Sequence, residues 1–122
     1  MCMIYIERRE TTMTISADLL RGYTDTIIMR QLVSGDGYGY AISRDVAEKS
    51  DGMVRLKEAT LYTAFRRMEE SGYIRSYWGD ETTGARRRYY SLTEPGKAKL
   101  EEEQGAWEET RRVMDTLIMN DA

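Results

Sequence analysis

The alternation of apolar and polar positions divides the chain into four helical stretches and one hairpin. "SADLLRGYTDTIIMRQLVSGDG" begins with Ser16 as a suitable N-cap and repeats apolar residues at Leu20, Tyr23, Ile27, Ile28 and Leu32, the rhythm of a helix with one buried face. A second stripe, Leu19, Gly22, Thr26 and Met29, lies on a neighbouring face and is small or apolar where solvent would favour charge. "SGDG" ends this first helix. "GYGYAISRDVAEKSDG" predicts a second helix from Tyr38 to Lys49, with Tyr40, Ile42, Val46 and Ala47 on its apolar side. After the short extended run "VRLK", "KEATLYTAFRRMEESG" predicts a third, which buries Leu61, Ala64, Phe65 and Met68 and closes at Gly72. So few residues separate helices two and three that they read as a helix-turn-helix pair.

Two strand-like runs come next, "YIRSYWG" and "RRRYYSL", on either side of the polar turn "DETTG". A hairpin directly after a helix-turn-helix is the winged-helix arrangement, an α+β fold that is mainly α. The final element starts at Thr93, a capping residue, with Pro95 in the first turn where its missing N–H does no harm. It runs to about Asn120, with Leu100, Trp107, Val113, Met114, Leu117 and Ile118 near a seven-residue spacing. Glu103, Gln104 and Arg111 interrupt that seam, and a protruding helix with an indole in its middle needs something to pack on. The organisation expected is an arm over residues 1–15, a winged helix-turn-helix over 16–93 and a long C-terminal helix over 94–122. The arm, "MCMIYIERRETT", does not lead naturally into the first helix, and Met13 begins a plausible protein. It is either a loose extension or an arm that touches DNA or a partner subunit through Arg8 and Arg9.

Composition narrows the function. There is no histidine and one cysteine, Cys2, which removes the usual general base, the usual zinc ligand, the nucleophilic triads and an internal disulfide. No G-x-S-x-G, phosphate-cradling glycine loop or paired-aspartate motif is present, so neither an enzyme nor a cofactor or metal is expected. With no apolar run long enough for a membrane and no secretory signal, the expectation is a cytoplasmic protein without a membrane partner. A net charge of −3 argues against nucleic acid until the charges are placed. Between Arg55 and Tyr90 eight cations face five anions, whereas from Lys97 onward four cations face seven anions. The middle is basic, and a local patch governs phosphate contact more than the whole-chain balance does.

With one face of the third helix buried, Thr60, Thr63 and Arg67 project away from the core, flanked by Tyr62 and Arg66. Small hydroxyls let a helix seat closely in a major groove, and arginine offers two donors to guanine or grips phosphate. Such a face on an isolated helix is more often simply solvated; the neighbouring hairpin changes the balance. There, strand alternation sends Arg86 and Arg88 to one side and Arg87 to the other. Three crowded like charges repel unless phosphates neutralise them, the alternative being an edge strand protected by charge. Tyr38 and Lys57, at the starts of helices two and three, complete a DNA-binding set of Tyr38, Lys57, Thr60, Tyr62, Thr63, Arg66, Arg67, Arg86 and Arg87. Trp107 either packs the tail helix onto the domain or a partner, or stacks on a flat apolar ligand, with Leu19, Gly22, Thr26 and Met29 supplying the rest of an interfacial pocket.

The blocks "GYGYAISRDV", "EATLYTAFRRMEESGYI" and "GARRRYYSLTEPGKAKL", with the later Trp107, together resemble the PadR family of bacterial transcriptional regulators over roughly residues 16–118. "ATLYT", where many members have Gly-Thr-Leu-Tyr-Pro, is similar to a small multidrug-binding subclass. The resemblance implies a C-terminal dimerisation helix and a homodimer that reads a pseudo-palindromic operator on double-stranded DNA as a repressor. It also implies a flat aromatic effector held between the two copies of Trp107, with Leu19, Gly22, Asp25, Thr26 and Met29 lining the pore. A competing reading is a protein-interaction module that uses the winged helix as a scaffold without sensing a ligand.

Overall fold

Residues 14–80 and 86–120 are described by a computed structural model. Two short helices, α1 (Ala17–Leu20) and α2 (Thr24–Gln31), lead through a 3-10 turn at Leu32–Ser34 to strand β1 (Gly37–Tyr38) and helix α3 (Gly39–Lys49). Helix α4 (Glu58–Glu70), strands β2 (Ile74–Trp78) and β3 (Arg88–Leu92), and helix α5 (Glu94–Met119) complete the chain. The fold is the expected winged helix: mainly helical, with one small antiparallel sheet and a long terminal helix. Arg8 and Arg9, nearly all of the expected arm, and most of the "DETTG" turn lie outside the described residues. No described helix is long and apolar enough to cross a membrane.

The single first helix expected from Ser16 is two helices. Ser16 caps α1 by accepting from the Leu19 N–H at 3.2 Å. The Tyr23 N–H then bonds the Leu20 carbonyl at 2.8 Å, a tight three-residue closure that ends the turn, and Tyr23 (φ −123°, ψ −3°) starts α2 afresh. Gly22 sits at the break, where poor helix propensity costs least. The stripe from Leu19 to Met29 is therefore not one continuous face. Leu19 is 69% exposed, whereas Met29 belongs to the core at 1%. A second correction concerns α3. Gly39, Ile42 and Val46 are its buried residues, and Tyr40, two positions before Ile42 and so nearly opposite it, is exposed beneath the Arg44 guanidinium.

Helix α4 delivers Leu61, Ala64, Phe65 and Met68 to a core that also takes Ile28, Ile42, Ile74, Tyr90 and Leu100. Phe65 stacks on Tyr90 with ring centroids 3.9 Å apart and planes at 22°. The sheet order is β1-β3-β2, both pairings antiparallel, with Gly37 opposite Tyr90 and Trp78 opposite Arg88. Strand β1 escaped the sequence reading because two residues are too few to show a period.

Helix α5 starts under tight constraint. The Thr93 hydroxyl accepts from the Gly96 N–H at 3.0 Å and donates to the Gly72 carbonyl at 2.6 Å. A Cβ at position 96 would lie 2.0 Å from the Tyr73 carbonyl oxygen, so only glycine lets the helix press against that backbone. Within α5 only Gly96 and Leu100 are buried. Although alanine is the better helix former, Gly96→Ala should destabilise the fold by about 1–3 kcal/mol through overpacking, read as a lower urea midpoint. An unchanged midpoint would mean that the junction is looser than this geometry.

Candidate DNA-binding surface

Around α4 the exposed residues sort by direction. Thr63 and Arg66 lie opposite the buried stripe. Tyr62 leans toward the sheet: its ring meets Phe65 edge-on at 5.5 Å, and its hydroxyl closes over the start of α3, 2.6 Å from where a Cβ of Gly39 would be. Thr60, Thr63 and Arg67 lie along a groove beside α2. Lys57 is the exposed N-cap of α4, and Tyr38 is the half-buried N-cap of α3.

Arg67 is bound within the chain. Its Nε donates to Asp25 Oδ2 at 3.1 Å and its Nη2 to Oδ1 at 2.5 Å. That bidentate bond raises the arginine pKa above its ordinary value. Arg67, read from the helix pattern as a DNA contact, and Asp25, which only the family resemblance placed at a ligand pore, are thus direct partners. Both remain partly exposed, which limits the pair to about 1 kcal/mol or less.

A second set of contacts fixes the wing, the hairpin of β2 and β3, to the last turn of α4. The Ser76 hydroxyl donates to Glu69 Oε2 at 2.6 Å, Arg88 Nη2 donates to the Ser76 hydroxyl at 2.8 Å, and Arg88 lies 3.8 Å from Glu69 Oε1. Beyond Ser76 on the same face, Trp78 carries the Arg86 and Arg88 guanidiniums 5.4 and 5.7 Å from its ring centre. On the opposite face Arg87 lies 4.8 Å over Tyr38, which meets Tyr89 edge-on, while Tyr89 stacks on Tyr77. The Tyr77 hydroxyl donates to Asp36, and that bond raises the phenol's pKa. The alternation read from "RRRYY" is present, with Arg86 and Arg88 on one side and Arg87 on the other. The sequence reading missed Glu69, Ser76 and Trp78; their signal was register, because Ser76 and Trp78 pair with Tyr90 and Arg88 on one face.

The groove beside α4 has a volume of about 960 Å³, and Gly22, Asp25, Thr26 and Met29 are on its wall together with Thr60, Thr63 and Arg67. Leu19 and Trp107 are not. Trp107 is 45% exposed on α5 and packs edge-on against Tyr23 at 5.2 Å. Among the described residues no group of His, Cys, Asp or Glu side chains is placed to hold a metal ion.

A helix-turn-helix whose second helix is braced by a basic hairpin wing in a three-stranded sheet defines a winged-helix DNA-binding regulator. Residues 28–102 match the transcriptional regulator PadR-like family, and the chain belongs to that family. An uncharacterized protein of Lysinibacillus sphaericus is 39% identical over 104 residues, covering 85% of this chain and 95% of the relative. The structure of a transcriptional regulator from Clostridium thermocellum is 45% identical with a TM-score of 0.80, covering 86% of this chain and 99% of that one. A PadR family transcription regulator from Clostridium difficile is 39% identical with a TM-score of 0.71, over 79% of this chain and 98% of that one. Membership also answers the enzyme question: the family's members regulate transcription and are not catalysts.

The ion pair beside α4 has a measurable strength. A double-mutant cycle of Asp25→Asn with Arg67→Ala, read by urea unfolding, should give a coupling of roughly 0.5–1 kcal/mol that shrinks with added salt. Zero coupling at low salt would mean that the pair is not held in solution.

Proposed function

We propose that the chain is a homodimeric repressor that reads a pseudo-palindromic operator and is released by a flat aromatic ligand at the subunit interface. The observation that carries the DNA part is the division of α4. Leu61, Ala64, Phe65 and Met68 are spent on the core, while Thr63 and Arg66 face outward beside a wing that bears Arg86 and Arg87. In this reading Thr60, Tyr62, Thr63 and Arg66 enter or flank the major groove, and Lys57, Tyr38, Arg86 and Arg87 hold backbone. Arg67 joins them by exchanging the Asp25 carboxylate for a phosphate.

The tail helix supports the dimer. Trp107, Val113, Met114, Leu117, Ile118 and Met119 are exposed on a helix whose last described contact with its own domain is Trp107 against Tyr23, and a second copy of that seam would cover them. The effector is supported by Trp107, half-exposed with one edge against Tyr23, which leaves indole surface for a planar guest. Leu19 would flank that guest, and Gly22, Asp25, Thr26 and Met29 would carry its effect toward Arg67.

Arg67→Ala and Arg87→Ala should each weaken the mobility shift of a duplex taken from upstream of the protein's own gene, with unchanged circular dichroism. For each phosphate no longer gripped, the slope of log affinity against log salt should fall by about 0.9. Binding as tight as the parent's in both variants would sink this surface. Separately, a bis-benzimide dye should quench indole fluorescence in the parent. Trp107→Ala should bind that dye at least about tenfold more weakly; unchanged dye affinity would remove Trp107 from the effector site. Leu117→Glu should give a monomer in sedimentation, and a persistent dimer would place the interface elsewhere.

A further inference from the structure

Trp78 is the one large aromatic of the wing that serves neither the core nor the Tyr38–Tyr89–Tyr77 column. It is 53% exposed, on the strand position directly opposite Arg88. Its direction is set by the pairing. On the face of the hairpin that packs against α4, β2 presents Ile74, Ser76 and Trp78 in turn, opposite Leu92, Tyr90 and Arg88 of β3. Ile74 and Tyr90 are buried under α4, and Ser76 is bonded to Glu69 in its last turn. Trp78 is the next step outward, so its indole lies on the helix-facing side of the wing and past the helix, in the angle between the two elements.

Two guanidiniums lie over that ring. Arg88 is tied down by Ser76 and Glu69, whereas Arg86 is exposed beside the indole at 5.4 Å. An apolar plate fringed with cations repels a basic surface and is wasted on water. It suits a polymer that alternates apolar sugar edges with phosphates.

We propose that Trp78 adds a sequence-independent apolar contact to double-stranded DNA beside the phosphate already assigned to Arg86: the indole seats against deoxyribose at the edge of the minor groove. The proposal rests on the reading of α4 and the wing as the DNA-binding surface and adds Trp78 to it. The Glu69–Ser76–Arg88 contacts fix the hairpin beneath the indole to α4.

The test uses the full chain, the duplex from upstream of its own gene and a scrambled duplex of equal length and composition. Trp78→Ala should keep the parent's circular dichroism and bind both duplexes roughly tenfold more weakly, with little change in salt slope. Arg86→Ala should lower the slope by about 0.9. The duplex should quench the parent's indole fluorescence, and that quench should vanish in Trp78→Phe, which keeps a ring and still binds. Undiminished binding by Trp78→Ala, or a quench that persists in Trp78→Phe, overturns the proposal and leaves DNA reading by α4 standing. A parent chain that binds neither duplex overturns both.

Discussion

Phe65 and Tyr90 meet almost face to face in the core, and the placement of α4 relative to the wing is referred to that contact. Phe65 is the only phenylalanine in the chain, and it sits on the helix that presents the candidate DNA-reading face. Tyr90 sits in the middle strand of the sheet, between β1 and β2. Stacking the two rings therefore sets helix α4 at a fixed height over the wing. Tyr62 extends the aromatic column from Phe65 toward the mouth of the helix-turn-helix, where Gly39 leaves room for its hydroxyl. Removing bulk from this column would blur the relative placement of helix and wing as well as cost core energy.

Polar contacts then brace α4 from both flanks. On one side Glu69 meets Ser76 and Arg88 of the wing; on the other Arg67 meets Asp25 of α2. Neither set is deeply buried, so their worth lies in direction more than in stability. They hold two arginines in known places, and Arg66 lies between them on the outward face. The pair on the α2 side links α4 to a helix that also packs against α5 through Tyr23 and Trp107. A disturbance at that aromatic contact thus has a short, polar route to α4.

Much of this was legible in the sequence, for reasons that differ by element. Helices α3, α4 and α5 announced themselves because each carries a long apolar period and a usable cap or stop, such as Thr93 for α5 and Gly72 after α4. The hairpin was legible from its aromatic-rich strands, and the sides taken by Arg86, Arg87 and Arg88 come from strand alternation alone. What the pattern could not show was where a period is cut by local closure: Leu20 to Tyr23 kept the right spacing for one helix while its backbone bonds made two. It also could not show Tyr40 turned outward, since apolar character and burial part company when an arginine covers a ring. The meeting of Asp25 with Arg67 is a contact between residues 42 positions apart, and no local rule reaches that far. Of the candidate set, the α4 face was readable from the helix period, whereas the membership of Glu69, Ser76 and Trp78 needed the strand register.

The glycine at position 96 has a mechanical consequence. Helix α5 is pinned where it crosses the Tyr73 carbonyl, and farther along it Trp107 rests against Tyr23. At 1.5 Å per residue, Trp107 stands about 16 Å from the pin and Met119 about 35 Å. The helix is a lever with its fulcrum at the glycine, and its arm is about twice as long at the tip as at the indole. A displacement of about 1 Å beside Tyr23 becomes about 2 Å at the far end. Whatever is fastened there receives a magnified copy of each small adjustment made against α2.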